Sequence, residues 1–282
     1  MYTLIVENER GEQLELTHNT AYSIIDIDGL DFPEATINTT KTATADGTTF
    51  NSSYVNERTI IITMAVNGPA EKNRINLYKY LKSKKPVRLY YKNGMRDVFI
   101  DGYVQKLDVG HFEEKQTAQA TIICPGTYFN KVEESVIDFS SVESLFEFPF
   151  SIEEAGIEFS TLKLGEQKNI INGGDVDTGV IINLHAIGLV LNPKIYNVET
   201  RESFILDLEM SEGDVITINT RQKEKTVVMV SNGIENNVIG KMRKDSSWFQ
   251  LLPGDNIFTY DADEFPENLT CTFTFIEQYG GV

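Results

Sequence analysis

The side chains best suited to acid–base chemistry near neutral pH are the histidines, and the chain has three: His18, His111 and His185. None lies in an H-x-H or H-E-x-x-H spacing, so none comes with a second metal ligand or a companion base. His185 shares the parity of Asn183 within Ile181-Ile182-Asn183-Leu184-His185-Ala186, which places it on the wetter side of a strand. The two cysteines, Cys124 and Cys271, form no C-x-x-C pair for zinc. Both sit on the apolar side of alternating runs in different halves of the chain, as buried free thiols do in a reducing cytoplasm. There is no G-x-S-x-G elbow, no P-loop and no G-x-G-x-x-G. Adjacent acids such as Glu133-Glu134, Glu153-Glu154 and Asp263-Glu264 read as solvated faces, because glycosidase carboxylates need a defined cleft. Asp175-x-Asp177 and Asp261-x-Asp263-Glu264 offer oxygen ligands, but neither follows the EF-hand loop that calcium favours. The reading is of a protein without catalytic, cofactor or metal residues.

The elements that would position any site are strands. Ile60, Ile62, Met64 and Val66 alternate with Thr59, Thr63 and Ala65, with Ile61 breaking the pattern. Ala118, Ala120, Ile122 and Cys124 alternate with Thr117, Gln119 and Thr121. Ile216 and Ile218 alternate with Thr217 and Asn219, and Leu269, Cys271, Phe273 and Phe275 with Thr270, Thr272 and Thr274. Such runs bury one face and wet the other. Asn93-Gly94, Gly213-Asp214, Asn232-Gly233 and Pro253-Gly254-Asp255-Asn256 supply turns. One helix is predicted over 70–83, with Pro69 at its first position, Ile75, Tyr78 and Leu81 on one side, and Pro86 beyond its end.

A chain of 282 residues suggests two domains, with a boundary in the acidic stretch 131–170, where Phe146, Phe148 and Phe150 lead into the first strand of the second. The boundaries expected are 1–135 and 136–282. The net charge of -17 is uneven, -2 over residues 1–130 and -15 over 131–282, which argues against nucleic acid on the second half. Residues 72–106 hold ten Lys/Arg and two acids. That concentration suits an acidic neighbour in an assembly, with nucleic acid as the other reading. No apolar run approaches a membrane span, and the first residues lack a basic n-region, so neither membrane insertion nor Sec export is expected. The sequons at Asn38, Asn51 and Asn268 carry little weight without export.

Residues 38–54 are small, polar and nearly uncharged. They read as an extended arm or long hairpin with Asp46-Gly47 at its tip. Such an arm either lies on a neighbouring subunit or is a plain surface loop. The subunit reading makes Lys41, Thr44, Asp46, Thr49, Phe50 and Tyr54, with Arg74, Tyr78 and Lys82 of the helix, the interface candidates.

In order and spacing these features resemble the distal tail proteins of long non-contractile-tailed phages. The first half carries Gly29-Leu30-Asp31-Phe32-Pro33-Glu34, the arm, the helix, Lys85-Pro86-Val87-Arg88-Leu89-Tyr90-Tyr91, Asp101-Gly102-Tyr103 and Cys124-Pro125-Gly126-Thr127-Tyr128-Phe129. The second carries Asn172-Gly173-Gly174-Asp175, Thr178-Gly179, Asn192-Pro193-Lys194-Ile195-Tyr196-Asn197, Gly213 to Thr220, and Ser247-Trp248-Phe249 through Asn256. The resemblance implies a mainly β fold: a ring-forming first domain with an arm and one helix, and a galectin-like β-sandwich. It implies a hexameric ring at the tail tip of a virion assembled in the host cytoplasm. Its partners would be the tail tube protein, a tail-associated lysin-like tip protein and receptor-binding or baseplate proteins, with DNA only passing through the lumen. The galectin likeness does not extend to sugar-binding residues. Where galectins have His-x-Asn-Pro-Arg, this chain has Val190-Leu191-Asn192-Pro193-Lys194, and its one tryptophan, Trp248, precedes Phe249. Asn192 and Trp248 remain the residues that could face a ligand, although a tryptophan beside Phe249 and Leu251 is more often core. The rival functions are a carbohydrate-binding module for adsorption, and a glycoside hydrolase with two carboxylates about 5–10 Å apart.

Overall fold

The structure is a computed structural model, and it describes residues 2–44, 46–111, 113, 115–139, 142–144, 160–162 and 167–282. The expected strand at Phe146–Phe150 lies outside the described residues. The chain is mainly β, with one α-helix among the described residues. It divides into two compact units: residues 1–132 with 278–282, and residues 133–277. The second unit is thus an insertion into the first. The sequence reading placed the boundary after 135 and gave residues 278–282 to the second domain. Pairing decides otherwise, because Phe129 and Asn130 hydrogen-bond across to Tyr279 and Gln278.

In the first unit an antiparallel sheet runs in the order Gln13–Glu15, Thr3–Asn8, Pro86–Lys92, Asp97–Val109, Thr117–Cys124, Arg58–Val66, Tyr22–Asp28. Phe129–Lys131 adds to Asp97–Val109, and Gln278–Tyr279 adds to Phe129–Lys131. The alternation seen in the sequence is the burial pattern. Ile60, Ile62, Met64 and Val66 face Ala118, Ala120, Ile122 and Cys124 in one core with Val98, Ile100 and Val104. Ile61 points to the other face and is half-buried. Gly29, at φ +89°, passes so close to the next strand that a Cβ would sit 2.2 Å from the Thr59 carbonyl oxygen, so no other residue fits.

The helix spans Ala70–Tyr80, three residues less than expected. Pro69 is its N-cap rather than its first residue, and Leu81 leaves helical geometry at φ -110°, ψ 59°. The three apolar residues grouped by their spacing of three do not share one environment. Leu77 and Leu81, four apart, are buried, while Ile75 and Tyr78 are 51% and 39% exposed. The 3-spaced set drifts around the helix; the i, i+4 pair stays on one side.

In the second unit two antiparallel sheets enclose a core. One runs Ser135–Asp138, Leu269–Phe275, Thr178–Ala186, Val215–Asn219, Thr226–Ser231, Ile234–Asn237. The other runs Lys168–Asn169, Ile257–Glu264, Val190–Asn197, Ser203–Ile205. Between them Phe139, Phe204, Phe249, Phe258, Phe273 and Phe275 are almost wholly buried. Phe258 and Phe273 ring centroids are 5.1 Å apart, and Phe249 meets Phe258 edge-on at 5.3 Å. Aromatic pairs at such separations add about 0.5–1.5 kcal/mol each beyond their buried area.

Candidate functional site: an unsupported hairpin on a clamped root

The arm is a two-stranded hairpin, Ala35–Thr40 with Thr49–Val55, and among the described residues it pairs with no other strand. None of the described residues from 31 to 57 belongs to the buried core of its unit. Cross-strand partners share a face, so Ile37, opposite Ser53, and Phe50, opposite Thr39, lie on the same side. Ile37 is 64% exposed, Phe50 60% and Tyr54 57%. Ile37 and Phe50 thus leave one face of the hairpin apolar and exposed, while Tyr54, opposite Thr36, lies on the other. Polar ties hold the hairpin's shape: Asn38 Nδ2 donates to Ser52 Oγ at 3.1 Å and Asn51 Nδ2 to Thr40 Oγ1 at 2.6 Å. A register shift at Asn38/Thr39 adds the local twist that a bulge brings.

The root of the hairpin is tied down by hydrogen bonds, and Arg58 makes most of them. This side chain is 2% exposed and lies over the Phe129 ring at 4.5 Å. Its Nη1 donates to the Gly29 and Asp31 carbonyls at 2.5 and 2.7 Å, its Nε to Thr127 O at 2.9 Å, and its Nη2 to Gly280 O at 2.6 Å. Burial lowers the arginine's ordinarily very high pKa, but a guanidinium stays charged in proteins. Carbonyl dipoles stand in for a counter-ion. On the hairpin's other foot, Thr127 Oγ1 donates to Asn56 O at 3.3 Å, and Asn56 Nδ2 to Thr36 Oγ1 at 3.0 Å. One arginine therefore fixes the segment Gly29–Asp31, the turn at Thr127 and the returning residues 278–282. Sequence reasoning missed Arg58. Its only signal was a charged residue opening a strand on the buried parity of Ile60 and Ile62.

The expected interface residues fall into two groups. Lys41, Thr44, Asp46, Thr49, Phe50 and Tyr54 are exposed along the hairpin and its tip, and Tyr78 and Lys82 are exposed at the helix. Arg74 is turned inward: its side chain is 17% exposed, and it contacts His111 Nδ1 at 2.5 Å and Glu71 at 3.8 Å. Beside it a groove of about 690 Å³ opens along the helix, lined by Lys72, Ile75, Asn76 and Lys79. A second cleft of about 620 Å³ lies over Glu7, Glu9, Arg88, Asp101 and Tyr103. There Arg88 and Asp101 are locked in a two-pronged pair at 2.7 and 2.9 Å, which raises the arginine's pKa further.

In the second unit Trp248 packs edge-on against Phe204 at 5.3 Å, with Lys225 Nζ over its ring at 5.5 Å. Asn192 has a left-handed backbone (φ +52°) and spends its side-chain amide on Asp263, at 3.0 Å. Among the described residues no three His, Cys, Asp or Glu side chains are grouped to hold a metal ion. Both thiols are free and buried, and burial pushes the Cys124 pKa up to about 12 and that of Cys271 well up.

Residues 9–124 match the family model of the phage tail protein RIFT-related domain, and residues 173–279 match that of the siphovirus-type tail component, C-terminal domain. The fold is similar to the crystal structure of phage SPP1 Dit (gp 19.1), described as a paradigm of the hub adsorption apparatus in phages infecting Gram-positive bacteria. Identity is 11%, the TM-score is 0.68, and the match covers 99% of both chains. A chain of the phage P2 baseplate in its activated conformation with Ca matches over 100% of both chains, at 10% identity and a TM-score of 0.49. The sequence matches no curated protein. Two β domains joined in this order, each carrying its own tail-protein signature, define a siphovirus-type tail component. The chain belongs to the siphophage distal tail protein family.

Proposed function

We propose that this chain is the structural hub of a tail tip, closing with copies of itself into a hexameric ring between the tail tube and the tip proteins. The observation that carries the reading is the hairpin 35–55: its apolar side chains Ile37 and Phe50 are exposed on one face, while its root is clamped by Arg58. Cyclic closure uses two different patches per subunit, and a stable contact buries about 800 Å² on each. A preorganised reaching hairpin supplies such area with little ordering cost. The exposed Ile75 and Tyr78, beside Lys72, Lys79 and Lys82, add a second surface at the helix. The second unit would then hold receptor-binding or baseplate proteins, and DNA would pass through the lumen without being read. The role is structural rather than catalytic, and its place is the virion tail, with assembly in the host cytoplasm.

Deleting residues 43–52 and replacing Ile37 and Phe50 by serine are the tests, read by light scattering across a concentration series. The expected result is a hexamer for the intact chain and monomer for both variants, with unchanged unfolding of the monomer. Variants that assemble as the intact chain does would sink the reading. Dilution is part of the design, because assembly follows mass action.

A further inference from the structure

The second unit has a concentrated patch at one end of its sandwich. Three connections cross there between the two sheets: Ile187–Leu189, residues 211–214 and Phe265–Asn268. They are tied into one surface by hydrogen bonds. Ala186 N donates to Asp214 O at 3.0 Å and Gly213 N to Ala186 O at 2.9 Å. Ile187 N donates to Asn268 O at 2.8 Å, and Asn268 Nδ2 to Leu189 O at 2.9 Å. From this surface Ile187, Leu189 and Phe265 stand 45%, 44% and 41% exposed. Single exposed apolar residues are ordinary, but three on mutually bonded turns are not.

Phe265 strengthens the case. Its backbone is left-handed, at φ 58° and ψ 46°, a conformation that costs a bulky residue about 1 kcal/mol or more. Asparagine or glycine would sit there more comfortably. The chain instead holds an aromatic ring outward, with Asn268 N donating to the Phe265 carbonyl at 3.0 Å.

The rim has one sign. Glu209, Glu212, Glu264 and Glu267 are all exposed. No Lys or Arg occurs in residues 184–191, 206–215 or 260–271. On the neighbouring strands Lys194 pairs with Asp261 and Asp263, and Arg243 with Asp207 and Asp263. Asp263 in turn is held below the usual carboxylate range by Asn192 and Lys194. Apolar anchors inside an all-acidic rim fit a partner whose apolar patch is edged with Lys and Arg.

We propose that this crossover end of the second unit is the docking site for another tail protein, one presenting an apolar patch with a basic rim. The proposal rests on the chain's being a tail hub and assigns a contact of the hub with another tail protein to Ile187, Leu189 and Phe265. The test replaces the chain in assembling tails by Leu189→Ser/Phe265→Asn, and separately by Glu264→Lys/Glu267→Lys. Purified tails are then quantified by mass spectrometry. Asparagine tolerates the left-handed backbone, so the first variant unfolds no earlier than the natural chain. The expected result is a tenfold or greater loss of one other protein from the tails in both variants, with the copy number of this chain unchanged. Binding of that protein to the purified natural chain then weakens as salt rises. Tails of natural composition in either variant overturn the proposal. So does loss of this chain itself from the tails, or a concentration-dependent mass of the purified chain that disappears with Phe265→Asn, which would make a second copy the occupant. A natural chain absent from tails, or a hairpin variant that still forms rings, counts against the hub reading and is distinct from all of these.

Discussion

Arg58 Nη2 donates to the carbonyl oxygen of Gly280 at 2.6 Å, joining residues 222 apart in sequence within one compact unit. The intervening chain builds the whole second unit before returning. Around this bond Val282 N reaches Leu30 O at 3.1 Å, Arg96 donates to the Gly281 carbonyl and lies over the Tyr279 ring, and Gly280 packs under Phe32. A Cβ on Gly280 would meet the Phe32 ring, so any larger residue there has to push that exposed ring aside.

Removing this clamp should therefore unfold the first unit, not the second. Arg58→Ala leaves four carbonyls without a donor in a buried site, where each unsatisfied group costs about 1–3 kcal/mol. A loss of about 3–5 kcal/mol is expected for the first unit's unfolding transition in urea. Arg58→Lys should not rescue it, because one ammonium cannot reproduce a planar fork aimed in several directions. Deleting residues 278–282 should cost a similar amount. Combined with Arg58→Ala it should be clearly less than additive, since both remove the same contacts. Additive losses would show that Arg58 and the returning segment act independently.

The helix separates packing from assembly. Leu77 is fully buried, whereas Tyr78, one residue on, is 39% exposed. Leu77→Ala should cost about 2–4 kcal/mol by urea unfolding of the monomer. Ile75→Ser with Tyr78→Ser should stay within about 0.5 kcal/mol on the same measurement, and reduce the fraction assembled by light scattering. A large stability loss from the second pair would place those side chains in the core instead.

Much of this was legible in the sequence, and the failures share a cause. Period-2 runs such as Ile60–Val66 and Leu269–Phe275 predict their own burial, because a strand's two faces are read from neighbouring letters. The exposed hairpin was legible for the opposite reason: residues 38–54 have little to bury. The helix's buried side was not legible, because Ile75, Tyr78 and Leu81 satisfy a spacing of three, and only packing shows that Leu81 is buried with Leu77 and not with the other two. Arg58 and the return of residues 278–282 were illegible because both depend on a contact across 222 positions, and no local pattern encodes a sequence-distant partner. The crossover patch likewise assembles from three separated turns, each unremarkable alone.

The two buried thiols give each unit its own reporter, and their titration has a defined sign. Cys124 lies in the first unit and Cys271 in the second. Burial raises the Cys124 pKa from 9.0 to about 12, with the Arg58 cation opposing it, and raises that of Cys271 well above 9.0. A raised folded-state value means that the folded thiol keeps its proton where the unfolded one has lost it. The thiol's contribution is thus fully present below pH 9 and declines between about 9 and 12, at up to about 1.4 kcal/mol per pH unit. Urea unfolding of the first unit at pH 8, 9.5 and 10.5 should fall more steeply for the natural chain than for Cys124→Ala, whose lower starting stability has no thiol slope. Equal slopes would mean that Cys124 ionises in the folded state as an exposed thiol does. At pH 8 both cysteines should resist iodoacetamide until urea opens their own unit. If Cys124 and Cys271 become reactive at different urea concentrations, their order gives the order in which the two units unfold.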